Sequence, residues 1–202
     1  METKIQLSED ELELMQNSEW ILTKNRIIEK VIKGFGALSV QMQHELLSGR
    51  PLLEDTIIRS SPKISRGEKY EGLPYVILDY PRIFEKEDIL AIRTLYWWGN
   101  YCSITLHIKG RYHLILQGKI SNSLPGLSAK NMYISISDQE WNHDVNSRHY
   151  TLITALNEQN LQRDLSYRDF VKLTAKVEFS QWDKMEKGLF EAFTAFCMLI
   201  EA

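Results

Sequence analysis

A chain of 202 residues with 44% apolar side chains can bury one sizeable core, so a single domain over residues 1–202 is the expectation. Its 24 basic and 27 acidic residues leave a net charge of -3, which supplies no global attraction to phosphate backbones or anionic lipid. Nucleic acid and membranes are therefore set aside as partners. Residues 1–13 alternate charged and apolar positions without the apolar run of a secretory signal. The most apolar stretch, Ala192 to Ile200, is too short to span a bilayer of about 30 Å. Cys102 and Cys197 lie far apart in apolar periodic segments, without ligand-type spacing, and read as buried thiols of a reducing compartment. A soluble cytoplasmic protein is expected.

Ser8 followed by Glu11 is a capping-box pattern and opens a short helix that ends near Asn17. Ser18 is placed to cap a longer helix, whose Ile21, Ile28, Val31, Ile32, Phe35, Leu38, Met42 and Leu46 recur at three- and four-residue spacing. That stripe needs a partner surface. Gly34 and Gly36 suggest a kink or a close packing contact, and Gly49 with Pro51 ends the helix. From Pro51 to Arg82 prolines, glycines and basic residues interrupt any long periodic element, yet the apolar content is that of an ordered connection. Within it, Tyr75 to Tyr80 reads as a strand between Pro74 and Pro81, at an edge because proline cannot donate to a ladder.

The segment from Asp88 to Gln117 reads as an antiparallel meander, with a helix over 85–95 as the alternative for its first part. A two-residue turn at Gly99-Asn100 pairs Trp98 with Tyr101, Leu95 with Ile104 and Ile92 with His107. A second turn at Gly110 leads into a strand from Tyr112 to Gln117 and sets His107 opposite His113. Leu95, Cys102, Ile104, Leu106, Ile108, Leu114 and Leu116 then face inward. Asn122 to Gly126 reads as a loop, Met132 to Ser137 as a strand, 138–149 as a polar excursion and 157–165 as a short helix. Val171 to Phe179 alternates as a half-buried strand, and a terminal helix from Ser180 carries Trp182, Met185, Leu189, Phe193, Phe196, Cys197 and Ile200 on one face. The fold class is α+β: an antiparallel sheet of about four to six strands covered by a long N-terminal helix and a C-terminal helix.

Two surfaces could carry function. The mixed face of the meander would hold Tyr96, Trp98, Tyr101, Ser103, Thr105, His107, His113 and Gln117 side by side, an aromatic and polar contact wall. The bland alternative is a wet sheet surface or one whose polar groups bond locally beneath a helix. On the same face His107 and His113 are acid/base candidates, because imidazole titrates near neutrality. With His143, Asp144 or His149 they could complete a metal set, although no spacing favours a metal over hydrogen-bonded histidines. The second surface is the basic run Arg59, Lys63, Arg66, Lys69 and Arg82, interleaved with tyrosines, which could hold an anion or equally pair with the acids of the same stretch. Among catalytic and phosphate-binding motifs, Gly-x-Ser-x-Gly, Gly-x-Gly-x-x-Gly and Gly-Lys-Ser/Thr are missing, and no cofactor is expected.

The stretches Gly72 to Arg82, Ile92 to Asn100 and Ser103 to His107 together resemble a small bacterial family of uncharacterised proteins, a resemblance that implies no activity and no assigned residues. The leading expectation is a binding or interaction module for a protein or small molecule, self-association included. The alternatives are a hydrolase-like enzyme using His107 and His113, and a structural part of a larger assembly.

Overall fold

The computed structural model describes residues 5–48, 60–128, 130–156, 165 and 167–200. Expectations that fall on 49–59 or 157–164, including the Gly49-Pro51 helix stop, Arg59 and most of the short helix at 157–165, lie outside the described residues. Among the described residues seven strands form one antiparallel sheet: β1 (Lys63–Tyr70), β2 (Leu73–Phe84), β3 (Ile89–Trp97), β4 (Tyr101–Lys109), β5 (Tyr133–Ser135), β6 (Tyr150–Leu152) and β7 (Phe170–Glu178). The order across the sheet is β1-β2-β3-β4-β7-β5-β6. The helices are α1 (Glu9–Gln16), α2 (Ser18–Ser48), α3 (Arg111–Ser128) and α4 (Met185–Ile200), the last entered through a 3-10 turn at Phe179–Lys184. The α+β class with long N-terminal and C-terminal helices over an antiparallel sheet is as expected. The strand count exceeds the expected four to six because β1 and β2 occupy most of what reads as a connection.

One face of the sheet carries the main core. Val76, Leu78, Tyr80, Leu90, Ile92, Tyr96, Cys102, Ile104, Leu106, Ile108, Val171 and Leu173 point to it, beneath the stripe of α2 from Ile28 to Leu46, the Tyr112-Leu116-Ile120-Leu124 row of α3 and the Leu189-Phe193-Phe196 row of α4. The capping box of α1 is present, with Glu11 N–H donating to Ser8 Oγ at 3.2 Å and Ser8 N–H donating to Glu11 Oε2 at 2.7 Å. The cap of α2 is Asn17 rather than Ser18: Trp20 N–H donates to Asn17 Oδ1 at 3.1 Å. α2 is continuous past Gly34 and Gly36, and among the described residues an added Cβ at either would meet nothing within 4 Å, so the described neighbours do not require either glycine for close packing.

Three expectations are corrected. The β3–β4 turn holds one residue more than predicted, pairing Trp97 with Tyr101, Leu95 with Ser103, Arg93 with Thr105 and Ala91 with His107. A one-residue slip exchanges faces, so Leu95 leaves the main core. Second, the chain after Gly110 is α3 and not a strand. Gly110 takes φ 60°, the left-handed region, and Arg111 N–H donates to Asp88 Oδ1 at 2.8 Å, which satisfies a free amide of the first helical turn. The helix continues through Asn122 to Gly126, where a loop was predicted, and Leu114, predicted inward, is exposed. Third, β2 lies between β1 and β3 and is no edge. Its Pro81 is tolerated because the β2–β3 ladder is irregular between Asp79 and Arg82, where a missing donor leaves no bond unmade.

Candidate functional site

The second face of the sheet is covered by the chain between β5 and β6, residues 136–149, here called the strap. Rows of residues cross this face from strand to strand. Tyr75, Trp97 and Tyr101 form an aromatic row, while Asp79, Arg93, Thr105 and Thr174 form a polar one beside His107 and its neighbour Lys172. Strap residue Val145 and Tyr150 of β6 close a small second core over Leu95, Trp97 and Tyr101.

Aromatic hydroxyls and one ammonium hold the strap down. Tyr70 Oη accepts from His143 N–H at 2.8 Å, and Tyr101 Oη accepts from Val145 N–H at 2.7 Å. Tyr150 Oη donates to the Asn142 carbonyl at 2.8 Å. Lys172 is fully buried, and its Nζ donates to the carbonyls of Glu140, at 3.0 Å, and Asn142. Burial, with the charge of Arg93 adding to it, lowers the pKa of Lys172 to about 7. Arg93 makes two bonds to Asp79, Nε to Oδ1 at 2.8 Å and Nη2 to Oδ2 at 3.0 Å. Its Nη1 lies 3.2 Å from His143 Nε2 while Lys172 Nζ lies 3.5 Å from Nδ1. Desolvation and these cations hold His143 neutral, well below the usual histidine range.

His107 stands between the Trp141 and Phe170 rings, with centroids 5.6 and 5.8 Å away. Burial first, and then Lys172, Arg93 and Lys109, push its pKa down to about 3. Its Nε2 lies 3.3 Å from Glu140 Oε1, yet both atoms lack an aligned hydrogen bond. Glu140 Oε2 is 3.0 Å from Lys109 Nζ at the outer rim. The cluster is thus a proton-poor polar layer sealed by the strap. The neighbouring hollow of about 350 Å³, lined by Tyr70, Glu71, Gln139, Glu140, Trp141 and Asn142, lies at the strap's own residues.

The structure scatters the residues that the sequence grouped. His113 belongs to α3, where Leu165 and Arg168 backbone groups reach it, on the opposite side of the sheet from His107. The two imidazoles cannot meet one ligand. Tyr96 is buried on the helix face against Trp98, Phe179 and Trp182. Tyr101, Ser103 and Thr105 are buried under the strap, with Thr105 Oγ1 at 3.0 Å from Thr174 Oγ1. Gln117 lies on α3, its Nε2 directed at the Leu114 carbonyl. His143 and Asp144 are strap residues, and Asp144 Oδ1 accepts from Asn146 N–H, as a turn residue does. The backbone carbonyl of His149 accepts from Ile136 N–H. Among the described residues no group of three His, Cys, Asp or Glu is close enough to hold a metal ion. Lys63, Arg66 and Lys69 are exposed along β1, the sheet's edge, where charge discourages edge-to-edge pairing, and Arg82 Nε donates to the Ser61 carbonyl at 2.9 Å.

An exposed surface lies elsewhere, at the N-terminus. The core stripe of α2 begins to be buried only at Ile28, so the first turns of α2 overhang the sheet and α1 extends from them. Every residue from Ile5 to Leu22 is exposed, among them Leu14 at 55%, Met15 at 66% and Trp20 at 48%. The same residues carry five acids, Glu9, Asp10, Glu11, Glu13 and Glu19, and no base.

No family model, curated protein or solved structure matches the chain. The reading of its function rests on its own geometry.

Proposed function

We propose that this chain is an interaction module whose contact element is the N-terminal arm, residues 5–22. The observation that carries the reading is the complete exposure of that arm. α1 has eight residues and none is buried. Helices shorter than about 12–15 residues are marginal in water, and a capping box adds only about 1 kcal/mol. An arm with apolar residues at Leu12, Met15, Trp20 and Ile21 has the composition of a helix that is completed by a partner surface. Its acids call for basic groups at the rim of that surface. The predicted aromatic contact wall does not serve, because Tyr96 and Tyr101 are both buried, on opposite faces.

The test compares the wild-type chain with Leu12→Asp/Met15→Asp by affinity capture from the source cell, native mass spectrometry and light scattering. The expected result is that stable association, with itself or another protein, is lost in the variant, while at a concentration too low for association its unfolding curve matches that of the wild type. Association that survives the double substitution would remove the arm as the contact element.

A further inference from the structure

Resting on that reading of the arm, we propose that its partner is a second copy of this chain, which takes the arm into the groove between α4 and the outer edge of β7. β5 pairs with β7 only at Leu173 and Thr174, so the edge at Ala175 and Val177 is left to form the floor of a groove of about 700 Å³. Phe190 of α4 makes an apolar wall, and the exposed Lys130, Lys184 and Lys187 stand at the rim together with one acid of the lining, Glu191, whose Oε1 lies 3.8 Å from Lys187 Nζ, so the rim is basic on balance. Gly188 admits this geometry, since a Cβ there would lie 3.3 Å from Val177 Cγ2. An apolar floor under a basic rim complements a helix that is apolar at Leu12 and Met15 and acidic at Glu9, Asp10 and Glu13.

The arm cannot fill the groove of its own chain. Gln41 near the far end of α2 bonds Glu186 at 2.6 Å, beside the groove, whereas Lys24 near its start pairs with Glu68 of β1. Trp20 and Gln41 are about 30 Å apart along the helix at 1.5 Å per residue, and only Asn17 separates α1 from α2. The arm leaves the body at the end remote from the groove, so it reaches the groove of another copy. Arm and groove are different surfaces, so the contact is head-to-tail, closing by reciprocal exchange or around a ring, or continuing as a chain.

Sedimentation velocity and light scattering of the full chain across a wide concentration range test this. Wild type should associate, and Lys184→Glu/Lys187→Glu and Glu9→Lys/Glu13→Lys should each weaken association at least tenfold. The chain carrying all four substitutions should regain most of the loss. Association unchanged by the groove reversal, or not regained in the fourfold variant, overturns the proposal. A monomeric wild type with arm-dependent capture of a different protein overturns the second copy and leaves the arm reading standing; a monomeric wild type without such capture removes both.

Discussion

Lys172 Nζ donates to the Glu140 carbonyl at 3.0 Å, so a fully buried ammonium in the middle of β7 is tied to the backbone of the strap. Replacing it with methionine keeps much of the volume and takes the donor from the Glu140 carbonyl, while the Asn142 carbonyl keeps its bond from Tyr150 Oη. The orphaned acceptor costs stability, while removal of a buried charge offsets part of that cost, so global stability should change by no more than about 2 kcal/mol. The strap should respond more: in Lys172→Met its amides should exchange at least tenfold faster, read by hydrogen exchange with mass spectrometry. Unchanged protection of 138–146 would show that the tyrosines alone hold the strap.

The same lysine sets a pH dependence. Its folded pKa of about 7 lies below the ordinary 10.5, so between these values the unfolded chain binds a proton that the folded chain does not. Stability contributed by this group therefore rises with pH across that window, and the penalty is fully present below pH 7. Urea unfolding of Lys172→Met should lack the rise that wild type shows on the alkaline side. Parallel curves would place the lysine charge in solvent.

Asp79 and Arg93 predict a different pattern. Their side chains are 9% and 17% exposed, and the carboxylate has both its bonds from one guanidinium. Arg93→Met leaves a buried carboxylate without its partner and should cost about 3–5 kcal/mol. Arg93→Met/Asp79→Leu should recover most of that, since an apolar pair of similar volume needs no desolvation. Thermal unfolding of the three chains decides it, and equal losses in the single and double variants would assign the cost to packing.

The elements that were legible in the sequence are those whose pattern is long. The α2 stripe from Ile28 onward, the Ser8 capping box, the alternation of β7 from Val171 to Val177 and the apolar face of α4 from Met185 appear where their residues place them, whereas Ile21 is exposed and Trp182 lies exposed in the 3-10 turn before α4. The Tyr112-to-Gln117 stretch misled because six residues satisfy period two, whereas Tyr112, Leu116, Ile120 and Leu124 reveal the four-residue spacing only over the full helix. The hairpin register turned on one residue of loop length, which decides the face of every side chain in β3, while the β4 residues Cys102, Ile104, Leu106 and Ile108 face inward as expected. Lys172 and Thr174 sit at the polar positions of an alternating strand, and nothing local distinguishes a polar residue in water from one beneath a strap formed 30 residues away. The arm was concealed for the opposite reason. Ile21 continues the apolar period of α2 without a break, so periodicity could not show that the sheet ends before it.

His107 supplies the acid limb. Its pKa near 3 lies below the ordinary 6.5, because burial and three neighbouring cations outweigh the single carboxylate of Glu140. As pH falls from 6.5 toward 3 the unfolded chain takes up a proton at this residue and the folded chain does not, so the folded state loses stability. The slope approaches about 1.4 kcal/mol per pH unit for one proton. Phenylalanine fits between the Trp141 and Phe170 rings and removes the unbonded Nε2, so His107→Phe should be at least as stable as wild type near neutrality. The carboxylates remain in both chains, and the difference between the two urea midpoints reads His107 together with its charge coupling to His143. That difference should widen steadily in favour of the variant on acidification below about pH 6, by about 1 kcal/mol per unit. A constant difference across the window would mean that His107 takes up its proton equally well folded and unfolded, with Glu140 as the partner that charges it.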